Sequence, residues 1–208
     1  MHNPHHPYAF VLVALVGCEG LNTREPVRVS VEVVPEQVPS ELTSAWLTVG
    51  MVDFEPCPHS QWSPIDLVLP SAHAHGGGPP PPTGTDVDRS AALSSGETVL
   101  LDTFSPTRDL YCGLSVELRP ASTSGEGATT AGWSDGEHTV QTDFPVYRDI
   151  TVEHLVGDDA PFSAVIITVD LSDWPTTASA DDPGMALYET LLGSTQVRVE
   201  PRSAPPEL

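Results

Sequence analysis

Along several stretches of this chain apolar and polar residues alternate one for one, and that period of two restricts it to extended structure with one face buried. Residues 27–33 read Val-Arg-Val-Ser-Val-Glu-Val, with the valines on one side and the polar groups on the other. Residues 110–119 repeat the pattern. Leu110, Cys112, Leu114, Val116 and Leu118 point one way, and Tyr111, Ser115, Glu117 and Arg119 the other. In residues 45–55 both faces carry apolar groups, Leu47, Val49 and Met51 against Trp46, Val52 and Phe54, so a central strand is expected. The same parity carries Cys57 onto the Leu47 face. Residues 65–69, 97–103, 138–142, 147–153 and 196–200 add further strands. Residues 163–171 are β-branched and almost continuously apolar, which predicts a strand buried on both faces.

One segment has helical spacing instead. Asp182 is placed to cap it, Pro183 takes the first position, and Met185, Tyr188 and Leu192 recur at the helical period. Gly193 is placed to stop it. The rest is turn and loop. Residues 35–40 form a turn, residues 121–136 are rich in Ser, Thr and Gly, and residues 71–95 contain Gly76-Gly77-Gly78 followed by Pro79 to Pro82. Such a tract holds neither a sheet ladder nor a helix, so a long exposed loop is expected there. These features predict a mainly β chain: a single antiparallel β-sandwich of about eight strands, with one short C-terminal helix and long Gly/Pro/Ser loops. The domain is expected over residues 27–202, with a tail at 203–208.

The N-terminus has a different character. An apolar run from Tyr8 to Gly17 has the length of a signal-peptide core and is too short to span a bilayer as a mature helix. It ends in Leu15-Val16-Gly17-Cys18, which resembles the bacterial lipobox. That resemblance implies cleavage before Cys18, a diacylglyceryl group on its sulfur, a signal peptide over residues 1–17 and a lipid-anchored tether over 18–26. It also implies placement in the cell envelope. Glu19, rather than the aspartate of inner-membrane retention, implies the outer membrane, on its periplasmic or surface face.

Charge narrows the partners. The chain has 29 acidic residues against eight arginines and no lysine, a formal net charge of −21. Such a chain repels phosphate backbones, so no nucleic-acid partner is expected, and membrane contact is left to the lipid. Absence of lysine removes Schiff-base chemistry, a P-loop and a Ser-Lys pair.

If Cys18 is lipidated, Cys57 and Cys112 remain as an even pair in an oxidising compartment, and a structural disulfide between them is expected. His73 and His75 sit at i and i+2 of an extended segment, where both imidazoles can approach one ion. His59, Asp66, Asp86 and Asp88 lie close enough in sequence to complete a shell suited to Zn or Cu. The doublets Asp158-Asp159 and Asp181-Asp182 offer oxygen ligands without EF-hand spacing. Gly132-Trp133-Ser134-Asp135-Gly136 fits Gly-x-Ser-x-Gly. The surroundings of Ser134 are loop and strand rather than the strand–turn–helix elbow a hydrolase needs, which predicts a chance match. Trp46, Trp62, Trp133 and Trp174 come from separate segments and are expected in core or anchoring positions rather than on a sugar platform.

The segments Ala45-Trp46-Leu47-Thr48-Val49-Gly50, Ala72-His73-Ala74-His75, Tyr111-Cys112-Gly113-Leu114 and Val169-Asp170-Leu171-Ser172-Asp173-Trp174 resemble a group of bacterial lipoproteins. In strand order the chain is similar to copper-associated MbnP-like lipoproteins and to transthyretin-like sandwiches. The resemblance implies a sandwich and an envelope address, with a hint of metal. The expected function is a non-enzymatic envelope lipoprotein that binds a ligand or a protein partner, or serves the envelope structurally. The alternative is a Zn- or Cu-binding lipoprotein using His73 and His75, and a hydrolase at Ser134 comes third.

Overall fold

A computed structural model of the protein describes residues 27–57, 83–121, 128–156 and 161–203. Their order is β1 (Arg28–Glu36), β2 (Ser44–Pro56), β3 (Gly84–Ala92), β4 (Val99–Phe104), β5 (Asp109–Leu118), β6 (Ala131–Ser134), β7 (Thr139–Thr142), β8 (Val146–Val156) and β9 (Phe162–Asp170). A short 3-10 helix (Trp174–Ser179), α1 (Pro183–Ser194) and β10 (Thr195–Arg202) follow. One sheet has the order β10-β9-β1-β4. The other has the order β7-β6-β2-β5-β8, with β3 also paired to β2.

The two sheets share one core. Val29, Val31 and Val33 of β1 and Val165 and Ile167 of β9 bury themselves from the first sheet, and Leu47, Val52, Leu114 and Val116 from the second. The alternation of residues 27–33 therefore does what its period predicts. β9 is buried from Ser163 to Val169, as its unbroken apolarity predicts. Its outer side is covered by arginines of β10. Arg198 donates to Thr168 Oγ1 at 2.7 Å, and Arg202 reaches across β9 to Glu32 at 2.8 Å, so both stems lie over apolar sheet while their heads stay polar.

The structure corrects several expectations. The described residues hold ten strands rather than about eight, and the sheets are not wholly antiparallel, because β1 and β9 run parallel from Arg28↔Phe162 to Glu36↔Asp170. A period of two is silent on direction; strands brought together from opposite ends of a chain can pair either way. Residues 83–95 and 131–134 are not wholly loop. β3 pairs with β2 from Asp53↔Gly84 to Trp46↔Ala92, and it is anchored by buried Val87 and Ala91. β6 pairs with β2 through Ala131 to Ser134 and buries Trp133 completely. Gly132 is required there, since a Cβ would collide with the indole of Trp46 on the neighbouring strand. The predicted strand over 65–69 lies outside the described residues.

The phase of β2 and β5 also departs from the expected parity. The β2 ladder shifts register between Val49 and Met51 against both neighbours, and the β5 ladder shifts between Tyr111 and Gly113. Each bulge exchanges the two faces of its strand. Buried β2 residues are therefore Leu47 and Val49, then Val52 and Phe54, while Met51 is only half-buried. In β5, Tyr111 is fully buried, Leu110 is exposed and Cys112 is half-buried, the reverse of the expected parity.

The helix α1 differs in its buried face and its end. Asp182 caps it as expected, its Oδ1 accepting from Met185 N at 3.1 Å, with Pro183 in the first turn. The buried face is Leu187 and Leu191, with Tyr188 packed against the core. Met185 and Leu192 are exposed. Gly193 lies inside the last turn and does not stop the helix, which ends as Thr195 turns extended into β10.

Candidate functional site

Cys57 follows β2, Cys112 sits at the bulge of β5, and the two form a disulfide with Cα atoms 4.7 Å apart. The bulge gives β5 an extra residue at Cys112 relative to β2, between Glu55↔Gly113 and Pro56↔Tyr111. Cys57 N also donates to Leu110 O at 2.9 Å. The pairing is as the even cysteine count predicts, but its place is not. Neither residue joins the core cluster, because the phase change at the bulge turns Cys112 away from Tyr111 and Leu114.

That side is the outer face of the six-stranded sheet. Its rows follow from the register. Asp53 pairs Ser115, which pairs Asp149. Glu55 pairs Gly113, which pairs Thr151. Met51 pairs Asp86 and Glu117, and Glu117 pairs Tyr147. Carboxylates recur on these rows. The cation among them, Arg119, is drawn over Gly50, where a Cβ would collide with its side chain. Its guanidinium lies 3.4 Å from Asp88, 3.6 Å from Asp86 and 3.3 Å from Glu117. Gly84 and Gly113 seat neighbouring acids in the same way, since a Cβ would stand 2.7 Å from Asp53 Oδ1 and 2.6 Å from Glu55 Oε2 respectively. Charged side chains thus lie down on the sheet instead of standing off it. A hydrogen bond to Glu117 raises the pKa of Tyr147 above its ordinary value.

Ser134 ends β6 and enters the β6–β7 hairpin. Its hydroxyl donates to His138 O at 2.9 Å and accepts from Gly136 N at 3.2 Å. The Asp135 carboxylate accepts from His138 N at 2.7 Å and Glu137 N at 2.8 Å, which hold its pKa down to about 2, and it meets the His138 ring nitrogen at 3.1 Å. Ser, His and Asp are neighbours here, but the serine serves the turn's backbone and no strand–turn–helix elbow exists at this hairpin.

Of the expected metal ligands, Asp86 and Asp88 lie on β3 and face Arg119. His59, Asp66, His73, His75, Asp158 and Asp159 lie outside the described residues, as does Cys18. Among the described residues no group of three or more His, Cys, Asp or Glu side chains is arranged to hold a metal ion. Trp46, Trp133 and Trp174 are buried. Trp46 donates to Thr129 Oγ1 at 3.0 Å and Trp133 to Thr177 Oγ1 at 3.1 Å. A cavity of about 400 Å³ opens between β9 and α1, lined by Glu36, Asp170, Asp173 and Glu189 together with hydroxyl groups.

His154 on β8 ties the sheets together at the other end. Its Nε2 lies 2.8 Å from Ser163 Oγ on β9, and its ring stacks on Phe54 with centroids 6.4 Å apart. Burial lowers its pKa below the ordinary histidine value. The folded state therefore favours the neutral ring. Above the unfolded pKa of about 6.5 the group contributes no pH dependence. As pH falls through that value the unfolded chain takes up the proton first, and stability is lost until the folded pKa is passed. Melting curves of wild type and His154→Gln between pH 8 and 5, which span that value, should show a steeper acid loss in the wild type. Parallel curves would refute the assignment.

Comparison of the chain with protein-family models, curated proteins and solved structures returned no match.

Proposed function

We propose that the protein is a non-enzymatic, lipid-anchored β-sandwich of the bacterial cell envelope that binds a partner outside the cytoplasm. The observation that carries this reading is the Cys57–Cys112 disulfide. Such bonds persist in oxidising compartments and are rare in cytosolic proteins. The same address follows independently from the apolar run that ends in Leu15-Val16-Gly17-Cys18. A diacylglyceryl group plus an N-acyl chain gives lasting anchorage, where a single chain gives marginal binding. Two sheets around one core, with an outer face that carries acids and a few exposed apolar groups, suit a module that presents a surface.

Fractionation of cells expressing wild type and Cys18→Ser tests the reading. Wild type should sediment with membranes and resist high salt, and the variant should not enter the membrane fraction in mature form. Equal amounts of mature protein in the membrane fraction of the two would overturn the anchor.

A further inference from the structure

We infer that the outer face of β5 and β8 is a docking surface for an extended, basic segment of another protein that carries apolar anchors. This rests on the binding-module reading and gives it a surface and a partner chemistry. The outward residues of β8 are Tyr147, Asp149, Thr151, Glu153 and Leu155, and all five are exposed. Leu155 is 49% exposed and pairs directly with Leu110 on β5, itself 37% exposed. Tyr147 is 57% exposed at the opposite end of the strand. Two apolar anchors thus stand eight residues apart, about 26 Å at roughly 3.3 Å per residue. Exposed large apolar groups rimmed by polar ones mark interaction surfaces more often than isolated ones do.

The ground between the anchors is acidic. Asp149 and Glu153 stand on β8, with Glu55 on β2, while Glu117 beside Tyr147 is already paired with Arg119. Between Glu55 and Asp149 lies a depression of about 160 Å³, floored by Gly113, where a Cβ would meet the Glu55 carboxylate. Two carboxylates flanking a hollow of that size suit the head of one lysine or arginine. The occupant follows from complementarity. A second copy of this chain, at −21 with no lysine, is repelled. A small cation has no use for Leu110, Leu155 and Tyr147. A basic strand with apolar side chains at its two ends satisfies both the charge and the anchors.

The probe is a labelled peptide of about nine residues with leucine at both ends and alternating lysine between them. It is titrated into the full chain in non-ionic detergent at about 50 and 300 mM salt. A peptide with glutamate in place of lysine serves as the control. The lysine peptide should bind, more weakly at high salt, and the glutamate peptide should not. Leu110→Ser/Leu155→Ser and Asp149→Asn/Glu153→Gln should each weaken binding by about tenfold or more. Asp173→Asn/Glu189→Gln, which removes the same charge at the distant cavity, should change it by less than about twofold. All these positions lie at the surface, and equal melting temperatures establish that each variant is folded. Absence of binding, equal weakening by the two acidic pairs, or no effect of the leucine pair overturns the surface. None of these results bears on membrane partition of the same preparation, so failure of this inference and failure of the anchored-module reading are separable.

Discussion

Reduction of the Cys57–Cys112 bridge, or Cys112→Ala, is expected to destabilise the protein by about 4 kcal/mol. The bond closes a loop of 55 residues, and the chain-entropy account gives that figure for such a loop. For a domain of this size the loss corresponds to a fall in melting temperature on the order of 10 °C. The bridge also sits where the ladder is interrupted. Registers slip on both sides of Cys112, and the bulge leaves β5 with interrupted pairing against β2 and β8. Melting with and without reductant, read by circular dichroism, measures the shift. A difference below about 2 °C would mean that the sheet holds this corner without the bond.

Trp133→Ala is expected to cost about 3–5 kcal/mol. The side chain is fully buried on β6, and its indole donates to Thr177 of the 3-10 helix at 3.1 Å. That bond joins the six-stranded sheet to the segment that leads into α1. Truncation leaves a cavity and takes one of two hydrogen bonds from the Thr177 hydroxyl, which still donates to Trp174 O at 2.7 Å. Trp133→Phe restores much of the volume without the donor and should recover more than half of the loss. Denaturant unfolding of the two variants separates packing from the hydrogen bond, and equal losses would assign the whole effect to the bond.

The strands with a clean alternation were legible: β1 from its valines, β8 from residues 147–153, and β9 from its continuous apolarity. So was the N-cap of α1, because Asp182-Pro183 is a local chemical signal. β3 and β6 were not legible because they carry few apolar side chains. β3 relies on Val87 and Ala91, and β6 is four residues long and includes a glycine needed only because Trp46 lies over it. The two bulges were invisible for a related reason. A bulge adds a residue without changing composition, yet it exchanges the faces beyond it, which is why Tyr111 is core and Leu110 is surface. The buried face of α1 was not legible because leucines crowd its last turns, and only packing against β7 and the 3-10 helix selects Leu187 and Leu191. Pairing of Cys57 with Cys112 was readable from the cysteine count, but its position on the outer face was not.

The docking face shows the same division. Residues 147–153 announced an amphipathic strand, but the meeting of Leu155 with Leu110, and of Glu55 with Asp149 around Gly113, depends on a register set by tertiary pairing. Spacing brings Asp86 and Asp88 together, but it does not show that Arg119 arrives beside them.

The intact mass of the protein isolated from native membranes without reductant tests the lipid anchor and the disulfide together. The expected mass is that of a chain that begins at Cys18, carries a diacylglyceryl and an N-acyl group, and lacks the thiol hydrogens of both Cys57 and Cys112. A chain with an unmodified Cys18, or one in which both other thiols are free, would contradict it.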